Sequence, residues 1–61
     1  MKEYNIMEKV GISYTSYSDA VKQALHQFDK DIYWFEVIEQ RGRITEDKKI
    51  EFQVVVKIGY N

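Results

Sequence analysis

Sixty-one residues cap the chain at one domain, residues 1–61, of a size that hides only ~60% of its unfolded-chain surface and normally needs a staple: disulfides, a metal or partner subunits. With no cysteine, and His26 as the single histidine, disulfides, thiolate zinc sites, cysteine nucleophiles and multi-histidine cages are excluded, which leaves subunit association as the expected staple. Nine basic against ten acidic residues give a net charge of −1, too little positive charge for a nucleic-acid binder that relies on phosphate contacts.

Lys2 to Val10 alternates, with Tyr4, Ile6 and Val10 on one parity and Glu3, Asn5 and Lys9 on the other. Period two predicts a strand, interrupted only at Met7 and Glu8. The same stretch carries no signal-peptide h-region, and no apolar run in the chain approaches the ~20 residues that span a bilayer. A cytoplasmic protein without membrane contact is expected. Gly11 to Ser16, rich in Gly, Ser and Thr, reads as a loop.

Ser16 then suits a helix N-cap, and Asp19 three residues on suits the positive end of the helix dipole. Tyr17, Ala20, Val21, Ala24, Leu25 and Phe28 follow the i, i+3, i+4 spacing of an apolar face, predicting one amphipathic helix of about 13 residues, ~20 Å long. His26 falls near its polar side, as a solvated surface histidine does.

Ile32 to Ile44 predicts a long strand, and Lys49 to Tyr60 alternates most cleanly of all: Ile50, Phe52, Val54, Val56, Ile58 and Tyr60 share one face. The polar run Thr45-Glu46-Asp47-Lys48 between them predicts a hairpin turn. Closing it with Ile44 opposite Lys49 sets Phe35 against Ile58 and Val37 against Val56 on an inner face. On the outer face Trp34 then meets Gly59, Glu36 meets Lys57, Ile38 meets Val55 and Gln40 meets Gln53. The expected fold is α+β, in the order β-α-β-β, a three-stranded antiparallel sheet wrapped on one helix.

One helix covers one side of such a sheet. Trp34, Ile38 and Val55 on the other side call for burial by another subunit or by a flat ligand. Trp34 and Gln53 lie six residues apart in that register, roughly 20 Å, so one small ligand touching both must lie between subunits. No glycine-rich phosphate loop is present, since Gly11, Gly42 and Gly59 are scattered. Ser13, Ser16 and Ser18 have no histidine at a suggestive spacing, and the strand acids Glu36, Glu39 and Glu51 read as solvated surface. Nothing assembles a nucleophile, base and oxyanion donor: no enzyme and no catalytic residue is expected.

The run Trp34-Phe35-Glu36-Val37-Ile38-Glu39-Gln40-Arg41-Gly42, with Phe52-Gln53-Val54 and Lys57-Ile58-Gly59-Tyr60, resembles the dodecins, and so do Val10-Gly11-Ile12-Ser13 and Ser16 through Lys22. The likeness spans nearly the whole chain. The Trp-Phe-Glu-Val run and the nineteen-residue step to Gln53 are its more specific parts. Dodecins are small flavin-binding storage proteins that form closed shells of twelve subunits. The resemblance therefore implies a homododecamer with a flavin cofactor (riboflavin, flavin mononucleotide or flavin adenine dinucleotide). It implies a flavin-binding set of Trp34, Gln53, Val55 and Arg41: Trp34 stacks on the isoalloxazine, and Gln53 hydrogen-bonds its pyrimidine edge. Arg41 is a candidate for anion contacts or an inter-subunit ion pair. Between Leu25 and Trp34 the chain is about three residues shorter than the usual family pattern, ~4.5 Å of helix. A shell of the same fold with no flavin, or with another ligand, is the reading from a different class.

Overall fold

The structure, a computed structural model, describes residues 5–61. Its elements are β1 (Asn5–Ser13), α1 (Tyr17–His26), β2 (Ile32–Ile44) and β3 (Ile50–Tyr60). They form a three-stranded antiparallel sheet in the order β1-β3-β2 with one helix. The expected first residues of β1, Lys2 to Tyr4, lie outside the described part.

β1 continues through Gly11, Ile12 and Ser13, residues that read as loop in the sequence. Gly11 is a strand residue because the helix crosses it: a Cβ there would overlap the Ala20 carbonyl oxygen and lie 3.0 Å from the Ala24 Cβ. Glycine marks a close approach rather than a break. Ser13 then ends the strand by turning the chain. Its Oγ donates to Asp19 Oδ2 at 2.7 Å and accepts from the Thr15 amide at 2.9 Å. Ser16 caps α1 as expected, accepting from the Asp19 amide at 2.9 Å.

The helix has 10 residues rather than about 13. Phe28 leaves it by a turn, its amide donating to the Leu25 carbonyl at 3.1 Å, yet still packs inward. Edge-to-face pairs tie the two ends of the helical segment to β3, Tyr17 on Phe52 at 4.9 Å and Phe28 on Tyr60 at 4.7 Å. Between them Ala20 and Ala24 meet Val54, Val56 and Ile58, all buried.

α1 packs mainly on β1 and β3 and leaves most of β2 uncovered. Phe35 and Val37 oppose Ile58 and Val56 as expected, but are 49% and 37% exposed because the helix does not reach them. The protomer measures 49 × 19 × 14 Å, with a radius of gyration of 13.0 Å, against about 10.5 Å for a compact domain of this length. Apolar surface is open on both sheet faces.

The hairpin departs from the expected register at a bulge between Val37 and Glu39. Beyond it the partners shift by one: Glu39 opposes Val55, Gln40 opposes Val54, Arg41 opposes Gln53, Arg43 opposes Glu51 and Ile44 opposes Ile50. Ile38 thus lies in the bulge rather than opposite Val55, and Gln40 moves to the helix-side row of Val54, not to Gln53. The turn closes through Thr45 and Lys49, the Thr45 amide donating to the Lys49 carbonyl at 2.8 Å. Lys48 takes a φ of 65°, the left-handed residue that such a loop requires.

Candidate functional site

The outer sheet face is a grid set by the two registers. Ile6, Gly59 and Trp34 form one row; Glu8, Lys57 and Glu36 the next; then Val10, Val55 and Glu39; then Ile12, Gln53 and Arg41; and Glu51 with Arg43 completes it. Trp34 is half-buried although no helix covers this face. Its indole lies over Gly59, where a Cβ would overlap the ring. The bulge between Ile32 and Trp34 resets the strand just before this residue, and bulges commonly re-aim side chains in this way.

Gln53 occupies the other end of the face. It is six residues from Gly59 along β3 (59 − 53 = 6), which at ~3.3 Å per residue is roughly 20 Å. The structure therefore brings Gln53 to Arg41, and keeps both far from Trp34 within one chain. Val55 lies between, half-buried and flanked by Val10.

Around Gln53 the side chains form one hydrogen-bonded line. Arg41 Nε donates to Gln53 Oε1 at 3.0 Å, and Gln53 Nε2 donates to Glu51 Oε2. Arg43 grips the Glu51 carboxylate with two bonds of 3.0 and 3.2 Å, and the Tyr14 hydroxyl donates to it at 3.2 Å. Arg41 Nη1 also lies 3.5 Å from Glu39 Oε1. Glu51 is 6% exposed and is held below the usual carboxylate range, chiefly by the Arg43 hydrogen bond and then by that of Gln53. Arg43 is correspondingly raised.

Glu51, Arg43 and Tyr14 come to Gln53 only in the fold. Glu51 reads as solvated strand surface in the sequence but is buried in the fold. A signal existed: a pairing one residue later than expected sets Arg43 against Glu51 and Ile44 against Ile50, both better matched than Arg43 against Ile50 and Ile44 against Lys49.

An open depression of about 460 Å³ at the hairpin tip is lined by Tyr14, Arg43, Thr45, Glu46, Asp47 and Lys49. Its cations already face anions, Arg43 on Glu51 and Lys49 Nζ 3.8 Å from Asp47, and it lies beyond the Trp34 and Gln53 rows. Among the described residues, no group of three or more His, Cys, Asp or Glu is placed to hold a metal ion. No helix among them is long and apolar enough to cross a membrane.

The Dodecin family model matches residues 4–61. A dodecin of Thermus thermophilus is 39% identical over 62 residues, covering 97% of this chain and 90% of that protein. The same organism supplies a crystal structure with a TM-score of 0.81 at 35% identity, covering 98% of this chain and 93% of the other. The dodecin of Streptomyces davaonensis has a TM-score of 0.81 at 28% identity over 95% and 90% of the two chains. With the match running over almost its whole length, this chain belongs to the dodecin family.

Proposed function

We propose that this protein stores or sequesters flavin, without catalysing a reaction, at sites shared between subunits of a closed homo-oligomer. The carrying observation is the separation of its two recognition elements. A flat aromatic seated on Gly59 and a side-chain amide about six residues away on the same face serve one small molecule only if Trp34 of one subunit meets Gln53 of the partner subunit.

The residues fit a flavin. An indole offers a flat ring for the isoalloxazine, and close stacking of two such systems permits charge transfer that quenches light-driven chemistry. An amide supplies the donor and acceptor that an imide edge needs. Gln53 uses one N–H on Glu51 and one lone pair on Arg41, leaving one of each. Val10, Val55 and Ile12 supply apolar surface beside it. Arg41 works from within the chain as the partner of Gln53 and Glu39.

Assembly follows from the same surfaces. Ile6, Val10 and Ile12 on the outer face, and Phe35, Val37, Ile44 and Ile50 on the other, are 37–64% exposed, more apolar surface than a stable monomer shows. Twelve subunits of 7.3 kDa would give about 88 kDa. The second reading, a shell of this fold with no flavin or with another ligand, draws on the fact that Gln53 is already bonded twice within its own chain.

Titration of flavin-free oligomer with riboflavin tests the reading. Flavin fluorescence should be quenched, saturating near one flavin per chain, and Trp34→Ala should lose most binding while keeping the oligomer. Unchanged riboflavin fluorescence with intact oligomer would transfer the case to the second reading.

A further inference from the structure

We infer that Glu51 is a positioning residue: together with Arg41 it locks the Gln53 amide in one orientation, and so fixes which way round a cyclic imide edge lies on it. The inference rests on the flavin reading above for the identity of that edge, but the lock itself belongs to the ligand-free chain.

The lock follows from chemistry of opposite sign on the two sides of one amide. A guanidinium only donates, and an ionised carboxylate only accepts. Arg41 Nε sits 3.0 Å from Oε1, and Glu51 Oε2 accepts from Nε2. Turning the amide over would set N–H against N–H and oxygen against carboxylate, losing both bonds and adding two repulsions. Glu51 itself has little freedom, being 6% exposed and tied by two bonds from Arg43 and one from Tyr14. As a carboxylate, ionised at neutral pH, it can only accept.

The remaining lone pair of Oε1 and the remaining Nε2 hydrogen are therefore presented in a set order, Oε1 on the Arg41 side and Nε2 on the Glu51 side. An imide N–H must meet the first, and one imide carbonyl must meet the second. A side chain ordered before binding loses less entropy on binding, an advantage of roughly 2- to 10-fold in affinity.

Three assembled proteins test this: the unaltered chain, Glu51→Met, which fills similar space without a strong acceptor, and Glu51→Gln, which restores a carbonyl oxygen for Nε2. In flavin-free oligomer with nitrogen-15 glutamine, the two Gln53 amide protons should be well separated and slow to exchange. They should collapse toward free-glutamine behaviour in Glu51→Met and recover in Glu51→Gln. In parallel, the unaltered oligomer should bind riboflavin roughly tenfold or more tightly than 3-methylriboflavin, which lacks the imide N–H. That ratio should shrink in Glu51→Met, with riboflavin itself roughly 2- to 10-fold weaker. Free-glutamine signals in the unaltered oligomer would overturn the inference, as would an unchanged ratio in an assembled Glu51→Met. If Glu51→Met does not assemble, the flavin-free spectrum of the unaltered oligomer decides alone. A locked amide in an oligomer that leaves riboflavin unbound would overturn the flavin reading and leave the lock standing.

Discussion

The indole of Trp34 rests on the backbone of Gly59, the residue directly across the β2–β3 ladder. Any side chain at 59 would occupy the space of the ring, so the seat of the indole is the absence of a Cβ rather than a pocket wall. Gly59 is buried in consequence although it lies on the outer face.

Gly59→Ala should therefore lift the ring without removing it. Stacking on an aromatic is worth ~1–3 kcal/mol per base in nucleic-acid complexes, and a displaced platform should lose a comparable amount. Riboflavin titration of assembled Gly59→Ala should show affinity lower by roughly tenfold with the mass of the oligomer unchanged. Unaltered affinity would mean that the ring does not depend on this seat.

Gly11 has the same role on the other face of the sheet. Its missing Cβ admits the helix backbone at Ala20, and a carbonyl held within a helix cannot step aside as a flexible side-chain end can. Gly11→Ala should force α1 off β1 and cost ~1–3 kcal/mol by overpacking. Chemical denaturation of the oligomer would read this as a lower midpoint. An unchanged midpoint would show that the helix docks with slack.

Acid should loosen the Glu51 network. Glu51 is depressed in the folded chain by Arg43 and Gln53, so the folded state binds this proton less readily than the unfolded chain does. The stabilisation is thus fully present above the ordinary glutamate value, about 4.3, and is lost as pH falls through the lower folded value. Melting temperatures from pH 6 to pH 3 should fall for the unaltered chain, and part of that fall should be missing in Glu51→Gln. Parallel curves would place the acid sensitivity elsewhere.

The sequence made much of this architecture legible, and its failures have local causes. The inward row of β3 is apolar at every position, Ile50 through Tyr60, as suits a central strand that lies between two strands and under α1 over much of its length. The pairing of Trp34, Phe35, Glu36 and Val37 with Gly59, Ile58, Lys57 and Val56 followed directly. Past Val37 the register slipped, because a single inserted residue leaves no composition signal of its own. Each half of the hairpin is self-consistent, and only the mismatch between them shows that Ile38 is extra. The helix end was overdrawn for a different reason: Phe28 keeps the apolar spacing while packing on Tyr60 from a turn. The Gln53 network stayed hidden because Glu51 becomes buried only once Arg43, two strand positions from Arg41, is set against it.

The proposed flavin site draws Trp34 from one subunit and Gln53 from another, and co-assembly of two variants separates that arrangement from a site within one chain. Trp34→Ala and Gln53→Ala proteins, each weak in riboflavin binding alone, would be unfolded, mixed in equal amounts and reassembled. If the site joins two chains, about a quarter of the sites in random hybrids regain both side chains, and that fraction of strong fluorescence quenching should return. If both residues of a site came from one chain, no hybrid could hold an intact pair, and quenching in the mixture would stay at the level of the separate variants.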